Sequence, residues 1–206
     1  MLAERPPVAL PRVLIAYDGR EPIALPAGLD LGVLLRDTDL PTLIEATLAL
    51  EGVPLAVDLA TVRGLEGDDA AVDFVCLRLG IGIVLARRPA VAARVASLGG
   101  LALQHVLAFD STGLARSLEG HPRSSRIGSV VSPGLVLAHM SRHEFERLPP
   151  PILAYGLIDA PADAWACLAM ADGIVLRPDA AVSFLNHLGP ESQSAQNLLT
   201  TVAARE

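Results

Sequence analysis

The sequence predicts a small, single-domain α/β protein, a (β/α)8 TIM-like barrel with an irregular first βα unit. Three observations carry this. Eight short apolar runs alternate from end to end with stretches of helical periodicity. Hydrophobic residues make up 51% of the chain and aromatics only 3%, an Ala/Leu/Val-rich balance suited to parallel strands covered on both faces. No shift in composition marks a second domain, and 206 residues suffice for one sizeable core. A doubly wound open sheet is the alternative arrangement of the same elements.

Each element has a local reason. The strands are read at residues 13–17, 32–36, 54–59, 82–86, 101–107, 126–131, 152–157 and 173–177, each a short apolar run of five to seven residues bounded by turn formers. Residues 18–30, after the first strand, hold Pro22, Pro26, Gly19 and Gly28, which predicts a loop instead of a first helix. Helices are read at 40–50, 68–79, 89–98, 111–119, 133–148, 161–170 and 178–187. Their starts carry Asp39 ahead of Pro41, the Asp68-Asp69 pair, Asp159 ahead of Pro161, and Pro89 and Pro178. Gly52, Gly80, Gly99 and Gly189 stand where C-terminal caps are expected. The domain is placed at residues 12–188, with a Pro-rich N-terminal tail (1–11) and a polar C-terminal tail (189–206).

The net charge of −7 and pI near 5.2 deny the chain the global basic footprint of a nucleic-acid binder. Arginines do cluster locally, at Arg87, Arg88 and Arg94 and again at Arg116, Arg123 and Arg126. Apolar stretches are interrupted well before the ~18 residues a membrane span needs. The first residues lack the basic-then-apolar order of a signal peptide, so a cytoplasmic location is expected. Cys76 and Cys167 lack CxxC spacing and read as structural thiols in a reducing compartment.

Candidate site residues follow from strand ends and strand parity. Barrel ligands gather at the C-terminal ends of strands, where Asp58, Arg87, Asp110 and Arg177 fall. In the third strand Ala56 and Asp58 oppose the bulky Leu55, Val57 and Leu59. In the fifth, Ala102 and Gln104 oppose Leu103 and His105. Assigning the small and polar set to the barrel interior places Asp58 and Gln104 inside and His105 outside. Asp110 doubles as a helix cap, and Arg87 as a solvated helix start. His139 and His143, four apart, share a helix face, but the HExxH order is absent and a solvent-facing helix is expected, with no metal. There is no P-loop, GxGxxG or GxSxG, and no visible nucleophile–base pair. No cofactor and no enzymatic activity are expected.

The run LALQHVLAFDSTGLARSL at 101–118 resembles the signature segment of the glycerol-3-phosphate-responsive antiterminators, with Gln104, Asp110, Ser111, Leu114, Ser117 and Leu118 in register. Gly32-Val33-Leu34-Leu35, Val57-Asp58-Leu59, Gly82-Ile83-Val84 with Arg87, Pro133-Gly134 and Gly156-Leu157-Ile158 resemble its other segments in order. The departures are Ala56 for a family His, His105 for Arg, Val130 for Glu, and Tyr155 for the first of a glycine pair. Leu176-Arg177-Pro178 also stands where the family has a hydroxyl-rich strand end.

The resemblance implies a regulator of transcription antitermination in glycerol metabolism that binds leader mRNA. Its implied effector is glycerol 3-phosphate or a similar small phosphorylated polyol. Asp58, Arg87, Gln104, Asp110, Gly134, Gly156 and Arg177 would hold the effector, and Arg88, Arg94 and Arg116 the RNA. A homodimer would double the basic face. Tyr155 implies weakened phosphate binding, since its bulk hinders close backbone approach. A small barrel enzyme on a phosphorylated metabolite, with Asp58 or Asp110 as acid/base, and a diverged sensor without RNA binding are the alternatives.

Overall fold

The computed structural model describes residues 8–188 apart from 22, 24, 27 and 28. Eight parallel strands close a barrel: β1 (Val13–Tyr17), β2 (Leu31–Leu35), β3 (Leu55–Asp58), β4 (Ile83–Ala86), β5 (Leu101–Leu107), β6 (Ile127–Ser132), β7 (Ile152–Tyr155) and β8 (Gly173–Leu176). Each pairs with the next in sequence, and β8 returns to β1 through Ile174 beside Val13 and Leu176 beside Ile15. Closure leaves no strand edge exposed.

The described residues hold seven α-helices: α1 (Leu40–Ala49), α2 (Asp69–Asp73), α3 (Pro89–Ser97), α4 (Ser111–Glu119), α5 (Arg142–Phe145), α6 (Pro161–Leu168) and α7 (Pro178–Leu188). The described residues between β1 and β2 hold no helix, as the prolines and glycines there predict. Asp39, Asp68 and Asp110 each cap a helix by accepting an amide three residues on. Beyond α2 the backbone widens into a π-helical turn at Phe74–Arg78. Gly52, Gly80 and Gly99 adopt positive φ past the ends of α1, of this turn and of α3. Gly189 and the tail 189–206 lie outside the described residues.

One expected element changes. The single helix read at 133–148 is a 3-10 segment (Gly134–His139) followed by the one-turn α5. Ser141 and Glu144 form a reciprocal capping box there, which starts a new helix where a continuous one was expected. His139 and His143 therefore do not share a helix face. Ahead of β1, Val8 and Leu10 pack against the barrel interior. A Cβ on Gly32 or Gly173 would stand 2.9 Å from Pro11 Cγ or 2.7 Å from Pro11 O, so both glycines admit this floor segment.

The core has an inner and an outer part. Leu14, Leu34, Ile83, Leu85, Leu101, Leu103, Val130, Leu153 and Val175 fill the barrel. Residues of opposite parity, such as Val33, Val57, Val84, Ala102, Val106 and Val131, meet the helices. On the outside, Phe184 of α7 is buried against Trp165 of α6, ring centroids 5.1 Å apart. Removing such a buried ring costs about 3–5 kcal/mol.

Candidate functional site

At the C-terminal mouth the inward parity of β2, β3, β4, β5 and β7 delivers a polar side chain instead of another Leu. Asp58 continues the Ala56 row at the end of β3, and His105 continues Leu101 and Leu103 in β5. Arg36 follows Leu34, Arg87 follows Leu85, and Tyr155 follows Leu153. The register pairs Leu35 with Val57 and Ala86 with Gln104. One further step sets Arg36 beside Asp58 and Arg87 beside His105.

These groups share one electrostatic environment. The Arg36 guanidinium lies 5.2 Å from the Tyr155 ring centroid, a cation–π contact. His105 meets Tyr155 edge-on, with centroids 6.2 Å apart and planes at 77°. Burial lowers the His105 pKa below its ordinary value; Asp58 opposes that shift, and Arg87 and Arg36 add to it. Burial likewise raises the Tyr155 phenol. Asp58 is only 1% exposed. Its Oδ1, Arg36 Nε and His105 Nε2 are buried and have no hydrogen-bond partner among the described residues. Buried polar atoms are ordinarily satisfied, and here three unsatisfied ones stand in a single layer.

Two depressions flank this layer. A cleft of 650 Å³ over β1, β2 and β8 is lined by Ala16, Tyr17, Arg20, Arg36, Asp37 and Arg177 among others. A cavity of 330 Å³ over β3 and β4 is lined by Leu59, Gly67, Leu85, Arg87 and Arg88 among others. Asp37 and Leu157, in the turns after β2 and β7, hold left-handed backbone, with φ of 52° and 57°. Non-glycine residues hold such backbone at a cost, and such positions gather at binding sites.

The sequence-predicted residues disperse. Asp58 and Arg87 belong to the mouth layer. Gln104 does not: Leu103 faces the interior and Ala102 the helices, so Gln104 points outward, buried, with Oε1 unpartnered. The parity reading of β5 is therefore corrected, with His105 inside and Gln104 outside. An eight-stranded barrel has to fill its own interior, and leucines do so here where small residues were expected. Asp110 accepts the Gly113 amide at 2.6 Å as the cap of α4 and is exposed. Gly134 spends its amide on Gly156 O at 3.0 Å, and a Cβ there would lie 2.9 Å from Tyr155 N. Gly156 holds φ of 82° after β7. Arg177 is paired with Asp159 at 3.1 Å and Asp179 at 3.3 Å.

Two of the three arginines expected on RNA are engaged within the fold. Arg88 donates to the carbonyls of Glu66 and Gly67, fixing the loop before α2. Arg94 makes a two-pronged contact with Asp73, both bonds at 2.8 Å. Arg116 is exposed on α4 with no hydrogen bond or ion pair among the described residues. Arg36, His105 and Tyr155 complete the mouth but are absent from the sequence-derived set. Alternation from Leu34, Leu103 and Leu153 was the signal that could have found them.

The family profile described as Glycerol-3-phosphate responsive antiterminator matches residues 33–176. That span contains every mouth-layer residue from Arg36 to Tyr155. The fold is similar to that of the glycerol uptake operon antiterminator regulatory protein from Listeria monocytogenes, with TM-score 0.61 and 20% identity over 70% of this chain and 78% of that one. It is also similar to a glycerol uptake operon antiterminator-related protein from Thermotoga maritima, with TM-score 0.64 and 18% identity over 84% and 97%. Deoxyribose phosphate aldolase from Aeropyrum pernix shares the barrel at TM-score 0.55 and 18% identity, over 77% of each chain. No curated protein sequence matches. Among the described residues no helix is long and apolar enough to cross a membrane.

Proposed function

The chain belongs to the glycerol-3-phosphate responsive antiterminator family, and from that premise we propose that it is a cytoplasmic, effector-responsive regulator. A small phosphorylated polyol, glycerol 3-phosphate in the first instance, binds at the C-terminal mouth. The liganded protein binds leader mRNA of glycerol genes and prevents termination. No catalytic step is assigned. The observation that carries the reading is the buried Asp58 carboxylate, with Oδ1 unpartnered beside the unpartnered His105 Nε2 and Arg36 Nε. An unsatisfied buried polar group costs about 1–3 kcal/mol, a cost that a hydroxylated ligand removes on binding.

The chemistry of the layer suits such an effector. Asp58 accepts from a hydroxyl, arginine attracts an oxyanion, and the Tyr155 ring supports the carbon skeleton. Coupling to RNA is reciprocal: an effector that tightens RNA binding is itself bound more tightly when RNA is present. A second reading, a sensor that keeps the effector site and does not bind RNA, is favoured by the net charge of −7 and by the internal use of Arg88 and Arg94. Fluorescence anisotropy of labelled leader RNA, titrated with and without glycerol 3-phosphate at low salt, separates the two. Effector-dependent binding supports the regulator. Effector-induced thermal stabilisation without RNA binding supports the sensor, and neither response refutes both.

A further inference from the structure

Phosphate-binding barrels ordinarily place the phosphate over the ends of the seventh and eighth strands, where backbone amides meet it. Here that place is occupied by charge of the wrong sign. Arg177 sits between Asp159 and Asp179, so one cation stands between two carboxylates. Pro178 opens α7 and contributes no amide, and Asp179 lies in its first turn. An anion arriving there meets two carboxylates against one guanidinium, whose Nη2 already serves both of them. The other cations of the cleft are also paired, Arg20 with Asp18 and Arg36 with Asp37.

The cavity over β3 and β4 differs. Arg88 is turned to loop carbonyls, while Arg87 is exposed and makes no hydrogen bond or ion pair among the described residues. Among the arginines lining the two depressions, Arg87 is the one whose guanidinium has no partner among the described residues. It stands one register step beyond Gln104 of β5, level with His105, whose Nε2 is buried and unpartnered. Asp58 lies at the end of β3 on the other side of Arg87's strand.

We propose that the oxyanion of the effector is anchored by Arg87, with His105 as a second donor, on the β4–β5 side of the mouth. The β7–β8 position carries no phosphate. The polyol then reaches back over Asp58, which takes a hydroxyl, toward the Tyr155 ring. This rests on the reading that a phosphorylated polyol binds at the mouth, and it reverses the orientation that phosphate barrels usually impose. Arg87 is a binding residue here, while Arg177 is part of a surface ion-pair network.

Calorimetric titration with glycerol 3-phosphate and separately with inorganic phosphate, on the wild type, Arg87→Gln and Arg177→Gln, tests the assignment. Both substitutions replace exposed side chains, and thermal unfolding of each variant checks that the fold is kept. Arg87→Gln is expected to weaken both anions at least tenfold, and Arg177→Gln to change them less than twofold. A His105 side-chain 15N resonance that moves with either anion adds a readout that a purely structural arginine would not change. Loss of binding in Arg177→Gln with retention in Arg87→Gln overturns the proposal, as does a wild type that binds neither anion. Phosphate binding through Arg87 without glycerol 3-phosphate binding keeps the subsite and refutes the effector. Effector-dependent RNA binding that ignores Arg87 keeps the function and refutes the subsite.

Discussion

Asp58 and Gln104 are both buried, each with one side-chain oxygen unpartnered, and they differ in what lies in front of that oxygen. Asp58 faces the open end of the barrel, where a ligand can complete it. Gln104 faces the helix layer, beside the outward row that holds Ala86 and Ser129. Replacing Gln104 by Leu removes an unsatisfied group, so stability measured by denaturant unfolding should stay within about 1 kcal/mol of wild type or rise. Effector binding should be unchanged, whereas a ligand-binding Gln would lose it. His105 makes a second prediction. Its folded pKa is depressed by burial below the unfolded value of about 6.5, so the unfolded chain takes up its proton first as pH falls. This contribution leaves stability unaffected above about pH 6.5 and lowers it progressively below. Melting temperatures from pH 7.5 to 5 should fall less steeply for His105→Gln than for wild type. At this scale the sequence was legible for Asp58 and Arg87 because strand ends mark barrel sites. It misassigned His105 because a Gln–His neighbour pair in an apolar strand does not state which of the two faces inward.

The elements were legible wherever punctuation was strong. β1 and β5 span 13–17 and 101–107, and α4 spans 111–119 behind its Asp110 cap, all as read from the residues. The segment after β6 was not, because apolar periodicity across 133–148 masked the Ser141-x-x-Glu144 capping signal. Gly134 ties this segment to β7: its amide bonds Gly156 O, and the position of its absent Cβ is bounded by Ile158, Ala154 and the backbone nitrogen of Tyr155. A backbone atom cannot swing aside as a side chain can. Gly134→Ala should therefore destabilise the protein by about 1–3 kcal/mol in chemical denaturation, the range for overpacking a tight site. It should also disturb Tyr155, so effector binding weakens through the β7 end. A Gly134→Ala variant as stable as wild type would show that the close approach is not required.

On the scale of the whole molecule, the closed eight-stranded barrel was legible from alternation and composition, because burying eight parallel strands on both faces leaves little freedom in arrangement. The distribution of charge was not, since sequence proximity of Arg87, Arg88 and Arg94 conceals that one has no partner among the described residues, one holds a loop and one holds Asp73. On the proposed function, the mouth layer around Asp58 senses the effector and RNA affinity depends on its occupancy. The direct test is leader-RNA affinity with and without glycerol 3-phosphate, for wild type and for Asp58→Asn, which keeps the shape and removes the charge. The effector should tighten RNA binding by the wild type at least fivefold, the lower range of allosteric coupling. Asp58→Asn should retain the effector-free affinity and lose the response. An undiminished response in Asp58→Asn would show that Asp58 does not sense the effector.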